Sequence, residues 1–171
     1  MNPTPIIVAL VLALAVIKEK SKWDAKTIDV MIFEDEEVRV VDLDTPKAFY
    51  LLGKVYVTTA LLKRPEPELK ASILHELGHK KWKHAEARLV FVLLASLPLG
   101  LSLEPAHLVK WLTFVLLGTI ALSWLFELMA DLYAAKHAGA EAVIAMLDSI
   151  KRTDHLHPPP KVRKWAVEHY Y

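Results

Sequence analysis

Leu69-Lys70-Ala71-Ser72-Ile73-Leu74-His75-Glu76-Leu77-Gly78-His79 is the stretch from which the rest of the chain can be read. Leu69, Ile73 and Leu77 recur at i, i+4 and i+8, the spacing of one helical face, and Pro65 and Pro67 mark where the helix starts. The helix is expected to run from Leu69 to Ala87. His75 and His79 are four residues apart, so their rings lie on one face and can both reach one metal ion. Neutral imidazole is a good zinc ligand, and two of them leave room for a carboxylate and a water. Glu76 sits beside the ligand stripe, where it can take a proton from a zinc-activated water as general base. Gly78 costs about 1 kcal/mol against alanine within a helix, which implies that something approaches the helix closely there. Taken alone, a motif this short can also arise by chance in a charged helix.

The composition bounds what surrounds this helix. The chain has 171 residues, about one domain. Its hydrophobic share is 54% and its mean hydropathy is +0.28, high for a soluble domain. The excess is concentrated in residues 5–17, 89–103 and 108–126. A net charge of +1 offers no field for a nucleic-acid partner, and none is expected. The basic run Lys80-Lys81-Trp82-Lys83 reads as a solvated or headgroup-facing surface. With no cysteine there is no disulfide, iron–sulfur cluster or thiolate site, so a metal here must use His, Asp or Glu.

Residues 5–17 are apolar throughout and end at Lys18-Glu19-Lys20; they are short against the roughly 20 residues needed to span a bilayer. A cleaved signal peptide is the alternative, with Ala13-Leu14-Ala15 resembling its cleavage site. No Lys or Arg precedes the run, which favours an uncleaved anchor. The runs 89–103 and 108–126, separated by Glu104-Pro105-Ala106-His107, are expected to form a helical hairpin in lipid, with Pro98 a kink candidate. Of the 21 Lys and Arg residues only Lys110 falls between 89 and 126, and none precedes Ile17. The remainder is placed on the cytoplasmic side by the positive-inside tendency, giving three spans with an outside N-terminus. Residues 27–59 read as strands: 27–33 and 38–43, then a tight hairpin around Gly53-Lys54. An extended substrate is expected to add to the edge at residues 55–58.

Two further clusters bear on the chemistry. Glu127-Leu-Met-Ala-Asp131 sets two carboxylates four apart on one helical face. Glu127 is the natural third zinc ligand beside two histidines, and Asp131 could accept the second ring N–H of one of them. His157-Pro158-Pro159-Pro160-Lys161-Val162-Arg163 would otherwise be a stiff linker with a stray histidine.

Together these three clusters, in this order and separated by two apolar segments, resemble the M48 metallopeptidases. That family includes bacterial quality-control proteases of the HtpX type and the CaaX-processing proteases. The resemblance spans residues 49–163, and the chain looks like a minimal HtpX-like member. It implies one Zn2+ per chain on His75, His79 and Glu127, with Glu76 as catalytic base. It also suggests His157 and Arg163 near the scissile carbonyl or in its supporting shell. His84 stands where CaaX-processing members carry His and HtpX-like members tend to carry Asp. On a continuous helix it lies about 180° from His75 and is expected to be a surface or supporting residue.

The fold expected is an α+β membrane protein: a zincin-like catalytic domain with a small β-sheet and an active-site helix, plus about three transmembrane helices. Residues 1–17 would be the anchor, and 18–171 a peptidase domain interrupted by a transmembrane hairpin at about 89–126. The expected activity is a zinc endopeptidase of the cell membrane, its site facing the cytoplasm, with membrane-associated or misfolded polypeptides as substrates and the bilayer as its other partner. Two alternatives stay open. One is a zinc-containing scaffold or chaperone, the other a site-2-type intramembrane protease.

Overall fold

The strand-like stretch becomes two hairpins in the computed structural model, which describes residues 4–96, 105–150 and 156–171. Strands β1 (Thr27–Phe33) and β2 (Glu36–Val41) are joined through Glu34 and Asp35 at φ 47° and 65°. Strands β3 (Ala48–Leu51) and β4 (Lys54–Thr58) are joined through Leu52 and Gly53 at φ 42° and 83°. Two residues with positive φ make the turn whose twist suits adjacent antiparallel strands. The expected hairpin at Gly53 is therefore present.

The hairpins meet through a parallel β2–β4 pair, giving the order β1-β2-β4-β3. Strand β4 is consequently interior, and the free edges are β1 and β3. This corrects the expectation of an edge at residues 55–58. Val55, Tyr56 and Val57 are all fully buried, as a strand covered on both faces must be.

The two faces of the sheet have different covers. Val38, Val40, Val55 and Val57 join the core with Ile73, Leu74 and Leu77 of α2 (Glu66–Lys81). On the other face the end of α1 (Thr4–Ala25) is tied down. Trp23 packs 4.9 Å from Phe49, and Asp24 accepts hydrogen bonds from Tyr56 (2.7 Å) and Arg39 (2.9 Å). Helix α2 begins where the prolines place it, with Glu66 and Glu68 favourably in its first turn. It ends at Lys81 rather than Ala87, because Lys83 adopts a left-handed conformation at φ 52°.

Helix α3 (His84–Ser96) then starts the first apolar run; the end of that run, with Pro98, lies outside the described residues. Helix α4 (Pro105–Ala138) is continuous from the second run through Glu127 and Asp131. It lies against α3 where Gly118 faces Phe91; a Cβ at 118 would come within 2.7 Å of that ring. Among the described residues α4 is the one helix long and apolar enough to cross a membrane, over Val109–Ala138. Most of that stretch is unburied, with Val109, Leu112, Phe114, Leu116 and Leu117 all exposed. Helices α5 (Ala140–Ser149) and α6 (Pro160–Tyr170) close the core with Val143, Leu147 and Val167. The result is an α+β chain, mostly helical, with one small mixed sheet.

Candidate metal centre

The site is assembled where α2 and α4 touch at their smallest residues. A Cβ on Gly78 would lie 3.1 Å from the Cα of Ala130, so glycine is what permits this approach. Ala130 is fully buried against it, and its near neighbours Glu127 and Asp131 are thereby held over His75 and His79. His75 Nε2 and His79 Nε2 are 3.1 Å apart, and they lie 3.5 and 3.4 Å from the Glu127 carboxylate. One ligand atom from each residue lies within 4.8 Å of the others, and the three could hold a metal ion.

The opposite side of each ring is occupied too. His75 Nδ1 lies 2.9 Å from Asp131 Oδ1, close but oblique to the ideal donor direction. His79 Nδ1 lies 2.8 Å from Nδ1 of His84. Both Nε2 atoms are thus turned toward the shared point, the arrangement a cation needs. Burial disfavours charge on His75, but Asp131 and Glu127 outweigh it and push its pKa up to about 10. Metal ligands must be deprotonated, so the affinity of this point for a metal would fall in acid.

Arg163 of α6 closes the cluster from behind. Its Nε and Nη2 donate to the two oxygens of Asp131 at 2.6 and 2.7 Å, and Nη1 lies 3.2 Å from Glu127. Asp131 is wholly buried and Arg163 nearly so. A forked guanidinium is the donor that can satisfy both oxygens of a buried carboxylate. Pro159 precedes α6 and Pro160 opens it, a position where proline's missing N–H costs nothing. His157, just before them, is half-exposed, with Nε2 3.4 Å from Glu127. His75, His79, Glu127, Asp131, His157 and Arg163 are therefore brought together.

A cleft of about 1030 Å³ opens over the cluster. It is lined by residues 45–50 on the β3 side, by Glu76 of α2, by Arg88 and Ser123 of the α3–α4 pair, and by His157. Tyr50 of β3 donates to Glu86 of α3 at 2.5 Å, tying the edge strand to the helix across the cleft.

His84 departs from its expected place. It is 3% exposed and stands against His79, not on the surface. The break at Lys83 turns the chain so that the first residue of α3 returns to the site. Burial, and then the neighbouring His79, lower its pKa to about 4, which keeps the ring neutral. No glycine or proline marks that break in the sequence.

No individual curated protein matches the chain. The model of peptidase family M48 matches residues 15–170, a span that contains all four strands and every side chain of the cluster. A buried His-His-carboxylate group on a substrate-sized cleft is what such a family would require, and the chain belongs to peptidase family M48, a family of metallopeptidases.

Proposed function

We propose that the chain is a membrane-anchored zinc endopeptidase that cuts membrane-associated or misfolded polypeptides at the cytoplasmic face. The observation that carries this reading is the convergence of His75, His79 and Glu127 beside Glu76 at the cleft. The fit to zinc can be judged on distance. Two ligands on a tetrahedral zinc with bonds of about 2.0–2.1 Å stand roughly 3.3 Å apart. The two Nε2 atoms stand 3.1 Å apart, and Glu127 reaches them with different oxygens, Oε1 3.4 Å from His79 and Oε2 3.5 Å from His75, so one atom from each residue lies within 4.8 Å of the others.

When bound, zinc would polarise a scissile carbonyl and make a water acidic enough to be deprotonated near neutral pH. The chain's own residues supply the rest. Glu76 takes a proton from the attacking water and returns it to the leaving amine. His157 donates a hydrogen bond to the developing oxyanion, and Arg163 and Asp131 hold Glu127 and His75 in place. The free edge of β3 offers main-chain groups along the cleft, so a substrate can bind extended with little demand on its sequence.

A site-2-type reading is disfavoured by the surroundings of α2, whose Lys70 and Lys80 pair with Glu34 in the β1–β2 turn and Glu36 at the start of β2. That is a watery setting. A scaffold would have no use for a carboxylate at position 76. Purified chain in lipid nanodiscs should cleave an unfolded protein, lose that activity to a chelator and regain it with Zn2+. A zinc-loaded chain that cleaves nothing would sink the reading.

Three spans are proposed at residues 1–17, 89–103 and 108–126, the last two interrupting a single peptidase domain. Val11, Leu14 and Ile17 of α1 and Val90 and Leu94 of α3 are exposed, like the apolar residues of α4, which suits lipid. The chain has no cysteine, so labels go only where they are introduced. His107→Cys should react with an impermeant maleimide on intact cells and Lys161→Cys should not; the reverse pattern would overturn the orientation. His157→Ala should lower kcat by about 10²–10³, the loss typical of one oxyanion donor, with zinc content unchanged. Loss of zinc in that variant would instead make His157 a ligand.

A further inference from the structure

We propose that His84 is a positioning residue for the metal centre: it accepts a hydrogen bond from Nδ1–H of His79 and so fixes that ring with Nε2 toward His75 and Glu127. The inference rests on reading the His75–His79–Glu127 cluster as a metal centre.

Proton counting sets the direction of the bond. The two Nδ1 atoms are 2.8 Å apart, so one carries the proton and the other the lone pair. If His79 offers Nε2 to a cation, its proton is on Nδ1, and His84 must be the acceptor. The opposite arrangement would put a proton on His79 Nε2 and close the site.

The setting of His84 suits an orienting part. Its ring lies parallel to Phe126, with centroids 4.2 Å apart and planes at 5°, and faces Trp82 at 5.7 Å and 15°. Trp82 is braced edge-on by Tyr133. Phe126 directly precedes Glu127, so the step of α4 that delivers a candidate ligand also delivers the plate behind His84. Nε2 of His84 is buried with no hydrogen-bond partner among the described residues. The bond to His79 is thus the one polar contact the ring makes there. Burying an imidazole for packing alone would be wasteful, since phenylalanine fills an aromatic stack without a polar atom to desolvate. The two histidines of the centre therefore have different neighbours at Nδ1, His75 the carboxylate of Asp131 and His79 a second imidazole.

Packing and positioning make opposite demands, which a pair of variants separates. His84→Phe keeps the stacked plate and removes the acceptor. His84→Asn loses the plate but carries an amide oxygen that can accept from His79. Zinc affinity is measured for the full chain by competition with a chromophoric chelator, alongside the visible spectrum of the Co2+-loaded protein. The expected result is about 10–100-fold weaker zinc binding and an altered Co2+ spectrum in the Phe variant, with the Asn variant much nearer wild type. Wild-type affinity in the Phe variant, or equal losses in both, would overturn the positioning role. Should the Phe variant melt early without metal, Asn against His84→Leu decides: weaker binding in Leu alone supports the role, and equal binding overturns it. If the wild-type chain itself takes up no zinc or cobalt, the reading of the centre fails first, which is a separate result.

Discussion

Glu76→Gln is expected to lower kcat by about 10²–10⁴ while leaving the metal content unchanged, the range for losing a general base. The amide has nearly the volume and polarity of the carboxylate, so packing is preserved. Glu76 is not among the three residues that could hold the ion, so their affinity for metal should not move. What disappears is the carboxylate that takes the proton of the attacking water. KM should change little, since binding along β3 uses main-chain groups. Turnover by the Gln variant at near wild-type rate, with metal content checked by atomic absorption, would remove Glu76 from the mechanism. Loss of metal would make it a ligand.

Arg163→Ala is expected to destabilise the fold by about 3–5 kcal/mol, the cost of breaking a buried ion pair from one side. The guanidinium satisfies both oxygens of Asp131, which has no access to water, and also neutralises Glu127 at 3.2 Å. Without it, two carboxylates are left close together in a largely buried site, and metal binding should weaken as Glu127 shifts. Arg163→Lys keeps the charge but cannot present a planar fork, so it should recover only part of the loss. Arg163→Met with Asp131→Leu removes both charges at once and should cost less than Arg163→Ala alone. Denaturant unfolding of the detergent-solubilised chain tests all three. A single-variant loss below about 1 kcal/mol, the range of an exposed pair, would show that the pair is solvated and structurally minor.

The three residues that could hold a metal ion, and the carboxylate beside them, were picked out by local pattern. Helical spacing puts His75 with His79 and Glu127 with Asp131, and a cysteine-free chain leaves a metal only such donors. The glycine at position 78 already signalled a close approach, though only the packing shows that Ala130 makes it. The hairpin at Gly53 was legible for the same reason, since turn chemistry is local.

What the sequence could not determine is everything set by contacts between distant segments. Strand order is one case: β4 pairs on both sides because β2 returns beside it, so the open edge at the cleft is β3. Full burial of Val55, Tyr56 and Val57 depends on helices far away in the chain. The end of α2 is the other case. Helical periodicity continues through residues 82–87, and Lys83 takes a left-handed conformation that its side chain does not favour. The compensation is tertiary, from the stacking of Trp82, His84 and Phe126 against α4. A helix read by spacing alone sends His84 to the far side. The packed chain brings it to within 2.8 Å of His79, because burial of His84 and its stacking on Phe126 and Trp82 outweigh the local preference of one residue.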